Sequence, residues 1–315
     1  MDKSLESLER VAMATIVEQR RARRWKLAFR FTALGLAAAA FTFTQVNNSD
    51  LGAAGAAHTA VVAVRGEISD QTMASAQNVN KALRKAFESA NSKGVVLYIN
   101  SPGGSPVQAG QIADEIRRLR EKHPEKHLYA VIGDMGASGG YYVASAAEKI
   151  FADKASLVGS IGVTAATFGF VDLMQRVGVE RRAYTSGEHK AFLDPFQPQN
   201  SEETEFWKTV LADTHQQFIE SVKAGRGDRL DATQENNLFS GLIWTGRQAK
   251  GLGLIDEFGT VESIARDDFK AEEIVDYTVA ENRFDVFARK LGASVGVAVF
   301  DKLASVSAGG QAQLR

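Results

Sequence analysis

The sequence predicts a layered α/β domain carried behind an N-terminal apolar segment. Three observations lead there. Short apolar runs of strand length alternate with longer runs in which apolar residues recur at helical spacing. Two of the strand-like runs end in glycine-rich turns that open directly into helical patterns. The chain of 315 residues is 44% hydrophobic and 24% charged, ordinary for a globular protein and enough for one large domain or two small ones.

The N-terminus departs from that pattern. Residues 1–19 read as a short amphipathic helix with no readable task. Residues 20–30 are RRARRWKLAFR, and 31–46 are FTALGLAAAAFTFTQV, with no charge until Asp50. An uncharged run of 16 falls short of the roughly 20 residues that cross a bilayer. Lys26 and Arg30 can snorkel and Trp25 can sit at the interface, which lengthens the span. The expectation is a transmembrane signal anchor over 25–46, with 1–24 cytoplasmic because the positive charge precedes it. Small residues such as GAAGAA at 52–57 would permit cleavage, but the stretch before the apolar centre is long for a signal peptide. Residues 47–58 read as a polar linker, 59–270 as the main domain, and 271–315 as a tail, with an amphipathic helix expected over 284–303.

Within the main domain, TAVVAVRGEI (59–68) reads as a strand and 72–91 as a helix. GVVLYIN (94–100) reads as a buried strand. Residues 106–122 read as a helix with Ile112, Ile116 and Leu119 on one face. HLYAVIGDM (127–135) is a third strand, followed by a helix that starts at Ser138. A short strand KIFAD (149–153), the stretch ASLVGSIGV (155–163), a helix near 168–177, a strand VERRAYT (179–185) and a long helix over about 202–224 come next. The block GLIWTGRQAKGLGLIDEFG (241–259) closes the readable domain.

Composition removes several function classes. A net charge of −1 gives no electrostatic reason to expect nucleic acid as a partner. The absence of cysteine removes disulfides, thiolate metal sites and cysteine nucleophiles together. Histidines at 58, 123, 127, 189 and 215 show no paired metal-binding spacing, so no metal or cofactor is expected.

The chemistry concentrates at two turns. Gly136-Ala137-Ser138-Gly139-Gly140 fits G-x-S-x-G in the context it needs, strand to sharp turn to helix. Small neighbours let the backbone turn tightly and leave the hydroxyl open. The helix start offers unpaired N–H groups suited to a developing oxyanion. YINSPGGS (98–105) ends the preceding buried strand in a second glycine turn, where Pro102 fixes φ and the glycines let N–H groups point outward. Two such turns about 35 residues apart suit neighbouring strands. A serine nucleophile needs a base. Downstream, His215 sits mid-helix, where a solvent-facing histidine is the plainer reading. His189 lies in a loop beside Lys190, and a lysine can serve if burial lowers its pKa toward neutrality. The residues alone leave His189 and Lys190 both open.

INSPGGS (99–105), GASGGYYVASAA (136–147), GSIGV (159–163), SGEHK (186–190) and WTGRQAKGLGLIDEFG (244–259) stand in one order. In these motifs the chain resembles the signal peptide peptidase A family of membrane-anchored bacterial Ser–Lys proteases, over about 59–265 plus the anchor. The resemblance implies a ClpP/crotonase-type spiral of ββα units. It implies Ser138 as nucleophile, Lys190 as general base, Ser160 as the serine that orients the lysine amine, and the N–H groups of Gly104 and Gly139 as oxyanion donors. It further implies a homo-oligomeric ring, an octamer being one size, with serine and lysine from adjacent subunits. Such a ring would sit on the outer, periplasmic face of the cytoplasmic membrane and take remnant signal peptides as substrates. Rival readings are an acyl-CoA hydratase or isomerase on the same fold, a catalytically silent membrane scaffold, and an esterase using His189.

Overall fold

The computed structural model describes residue 13, residues 18–21 and 23–35, and residues 55–280. It divides into two units, Met1–Ala56 and Ala57–Arg315. In the first, residues 23–35 are helical, with Trp25, Phe29 and Phe31 exposed. Residues 36–46 of the expected anchor lie outside the described residues, as do 47–54 of the linker. Among the described residues no helix is long and apolar enough to cross a membrane.

The second unit is built on strand–helix alternation. Strand β1 (His58–Arg65) leads to α1 (Ala76–Glu88), β2 (Ser92–Ser101), α2 (Pro106–Lys122), β3 (Leu128–Ala137), the short α3 (Gly139–Ala144) and β4 (Lys149–Ala152). The caps explain the helix starts. Ser75 and Ser105 accept N–H groups of the first turns of α1 and α2, and Pro106 supplies a preset φ at the first position of α2. Ile112, Ile116 and Leu119 are buried on the face the sequence marks out. Each contributes roughly 1.5–3 kcal/mol from apolar burial.

The sheet runs β6-β5-β3-β2-β1-β8, with β4 and β7 branching from β3. Here β5 is Leu157–Gly159, β6 Ile243–Thr245, β7 Glu257–Phe258 and β8 Ile274–Asp276. All pairings are parallel except β5 with β6. Strand β3 carries two neighbours on one edge. Tyr129–Ile132 pair with β4, and Met135–Ala137 pair with β5. Between these halves the register of β3 against β2 slips, from Ile99 opposite Ile132 to Ser101 opposite Gly136. The main core lies between the sheet and α1, α2 and α3. A smaller apolar cluster of Val96, Tyr129, Val131, Phe151 and Phe269 covers the other face.

Three segments differ from the sequence expectation. Residues 179–185 form no strand. They are exposed throughout and find no neighbouring strand among the described residues to complete a ladder. The preceding helix α4 (Val171–Val177) buries no residue of its own. Residues 274–276, expected in a helical tail, form β8 and pair with β1. Residues 281–315, which hold the expected helix 284–303, lie outside the described residues. The long helix α5 (Ser201–Arg226) is capped by Asn200 and buries only its C-terminal half, through Phe218, Ser221, Val222 and Arg226.

Candidate active site

Ser138 occupies the single residue between β3 and α3. Its backbone sits at φ 51°, ψ −124°, a left-handed conformation that costs a non-glycine residue about 1–3 kcal/mol. The surroundings hold it there. The Ser138 N–H donates to Gly159 C=O at 2.8 Å, and its C=O accepts from Tyr142 N–H at 2.9 Å. Tyr141 is fully buried and donates to Leu254 C=O at 2.7 Å. Burial pushes its phenol pKa up, so it stays a neutral donor that pins α3. The hydroxyl of Ser138 is half-buried, lines a cavity, and makes no hydrogen bond among the described residues.

The second turn abuts the first. Gly103 N–H donates to Ser101 Oγ at 3.1 Å, while Ile68 brackets the turn by donating to Gly103 C=O and accepting from Ser105 N–H, both at 2.8 Å. Gly104 lies at φ 143°, and a Cβ there would sit 2.2 Å from Ile68 O. Glycine is required on both counts. A Cβ on Gly103 would lie 2.7 Å from Ser138 Cβ and 2.8 Å from Gly139 N, and one on Gly139 would lie 3.3 Å from Gly104 N. The two turns therefore touch. The N–H groups of Gly104 and Gly139 donate to no described residue.

Ser160 forms the facing edge. It too has a positive φ, 52°, and its N–H donates to Leu242 C=O at 2.7 Å. Beside it, His215 on α5 reaches Ile161 O with Nε2 at 3.1 Å, which makes that nitrogen the protonated one. His215 is half-buried rather than solvent-facing. Ser138, Gly104, Gly139 and Ser160 all line one cavity of about 790 Å³. Tyr142, Thr214, Gln217 and Phe218 form much of its wall, with the Tyr142 and Phe218 rings 4.9 Å apart. The α5 residues carry no motif and reach the cavity only through tertiary packing. No acidic or basic side chain lines it among the described residues.

Lys190 is not part of this cavity. It lies in an exposed turn closed by its own N–H to Gly187 C=O at 3.2 Å. His189 is also outside, exposed, with Nδ1 3.4 Å from Glu203 Oε1. Within one chain, the serines and glycine donors come together and neither candidate base joins them.

Two family models match the stretch of chain that carries the sheet and the serine turn. The model of peptidase family S49 matches residues 120–274, and that of Clp protease matches residues 53–157. The Na(+)/H(+) antiporter NhaA of Brucella abortus is 46% identical over 184 residues, which cover 58% of this chain and 25% of that protein. A Synechocystis sp. relative whose name carries the word protease is 33% identical over 194 residues, 61% of this chain and 68% of its own length. The chloroplastic serine protease SPPA of Arabidopsis thaliana is 32% identical over 185 residues, 58% of this chain and 27% of that protein. The chain thus spans about a quarter of the length of the Brucella and Arabidopsis relatives. It belongs to peptidase family S49, the signal peptide peptidase A family. The Clp protease match and the mixed α/β sheet fit a ClpP/crotonase-type fold.

Proposed function

We propose that this chain is a serine endopeptidase with Ser138 as nucleophile and Lys190 as general base, the lysine reaching the serine from a neighbouring copy. One observation carries the reading. Among the described residues, a cavity gathers a strained serine with an unbonded hydroxyl, two free backbone N–H groups and a second serine, yet no base lines it. Lys190, the base that the family resemblance assigns, stands exposed in a stretch, residues 162–190, in which no residue is buried.

The mechanism is acyl transfer. A neutral Lys190 amine, held by Ser160 Oγ, takes the Ser138 proton as Oγ attacks the peptide carbonyl. The oxyanion rests on the N–H groups of Gly104 and Gly139. The protonated lysine gives its proton to the leaving amine. Water, deprotonated by the same lysine, then releases the acyl group and restores Ser138.

The substrate class is the unfolded, apolar peptide, remnant signal peptides foremost. The assembly is a homo-oligomeric ring, with an octamer as one candidate size. It is held by residues 25–46 on the outer face of the cytoplasmic membrane. Full-length chain in detergent, given an unfolded apolar peptide, should cleave it, and Ser138→Ala and Lys190→Ala should each lose cleavage. Full activity in Lys190→Ala would move the base to His189.

A further inference from the structure

The slip in register between β2 and β3 places the two turns, and side chains hold it. Up to Ile99 opposite Ile132, partners differ by a constant offset. From Ser101 opposite Gly136 the offset is larger by two. Asn100 alone therefore faces Gly133, Asp134 and Met135. Such bulges bend strands and occur beside active sites. At about 3.3 Å of rise per residue, two residues of slip move the Ser138 turn by ~6–7 Å along β3 relative to the Gly103–Gly104 turn. Without the slip the two turns could not touch as they do, with room for no Cβ between Gly103 and Ser138.

A bulge leaves backbone groups without ladder partners. Here Asn100 Oδ1 accepts the Met135 N–H at 3.2 Å, and Asn100 Nδ2 donates to Asp134 Oδ2 at 2.9 Å. On the other side Ser156 Oγ donates to Gly133 C=O. The amide of Asn100 is half-buried and Asp134 is exposed. An amide carries an acceptor and a donor on separate atoms, so Asn100 accepts from Met135 and donates to Asp134 at once.

We infer that Asn100 and Asp134 are a positioning pair: together they fix the stagger of β2 against β3 and so set the Gly104 and Gly139 N–H groups relative to Ser138. The inference rests on the peptidase reading for its kinetic consequence, but not for its structural one. Neither residue lines the Ser138 cavity, so their effect falls on turnover rather than on binding.

The test exchanges the two side-chain chemistries. N100D keeps size and the acceptor for Met135, removes the donor, and sets two carboxylates face to face. We expect kcat to fall by about tenfold or more, short of the ~10²–10³ of a deleted oxyanion donor, with KM within about threefold and Tm largely kept. The double variant N100D/D134N restores donor and acceptor in reversed order and should recover most of kcat. Wild-type kcat in N100D, or no recovery in the double variant, overturns the inference. Amide hydrogen exchange at Met135 and Gly139 needs no substrate and should quicken in N100D and return in the double variant. If the wild type cleaves no peptide while exchange behaves so, the peptidase reading fails and the positioning pair stands. Unchanged exchange in N100D contradicts the pair whatever the activity.

Discussion

Replacing Arg226 with methionine tests what holds α5 against the sheet, and with it the α5 wall of the cavity. The guanidinium is fully buried. It donates to Asp256 at 2.7 and 3.0 Å, and twice to Gly253 C=O at 3.0 and 2.9 Å. Asp256 also accepts from Ile150 N–H at 2.7 Å, so the pair ties the end of α5 to the start of β4. Methionine fills similar space but leaves a largely buried carboxylate facing no cation nearer than Arg229, 3.3 Å away in the wild type. Breaking a buried pair from one side costs about 3–5 kcal/mol. For a domain of this size that lowers Tm by about 6–20 °C. The pH dependence sharpens the test. Burial alone would raise the Asp256 pKa, but the hydrogen bonds and charge of Arg226, with the Ile150 N–H, hold it below its usual 3.8. A carboxyl lowered on folding adds stability above its unfolded value and loses it as pH falls through the folded one. The Tm gap between wild type and Arg226→Met, followed by circular dichroism, should therefore be full at pH 7 and narrow below about pH 4. A deficit below ~2 °C at pH 7, or a gap that widens in acid, refutes the reasoning.

Other outcomes follow from the turns. Gly104→Ala places a Cβ against Ile68 O at a φ of 143°, and should lower kcat/KM by about a hundredfold through the displaced N–H, read by peptide hydrolysis. Ser138→Gly relieves the strained φ of 51°. It should abolish hydrolysis while keeping Tm or raising it by a few degrees, equivalent to at most ~2 kcal/mol after the entropy cost of glycine. A fall in Tm of more than a few degrees would show that the hydroxyl is structural.

Much of the site is legible because local chemistry writes it. Ser105 and Pro106 mark the start of α2, and the spacing of Ile112, Ile116 and Leu119 marks its buried face. The turns at Ser138 and Gly103–Gly104 are readable because few residues other than glycine tolerate such close approach. What stays hidden is non-local. Thr214, Gln217 and Phe218 reach the cavity through a helix crossing, which leaves no mark on their own segment. The slip opposite Asn100 depends on pairing between strands and not on either strand alone. Residues 179–185 read as a strand in the sequence but pair with no strand among the described residues. The same exposed region carries His189 and Lys190, both outside the cavity.

The most direct test of a shared active site is to mix the two inactive variants. Full-length Ser138→Ala and Lys190→Ala chains would be combined one to one in detergent, with subunit exchange verified by mass, and peptide cleavage followed. If each site draws its serine from one copy and its lysine from the next, random mixing rebuilds about a quarter of the sites, and about a quarter of wild-type activity returns. No recovery from fully exchanged assemblies would contradict the shared site.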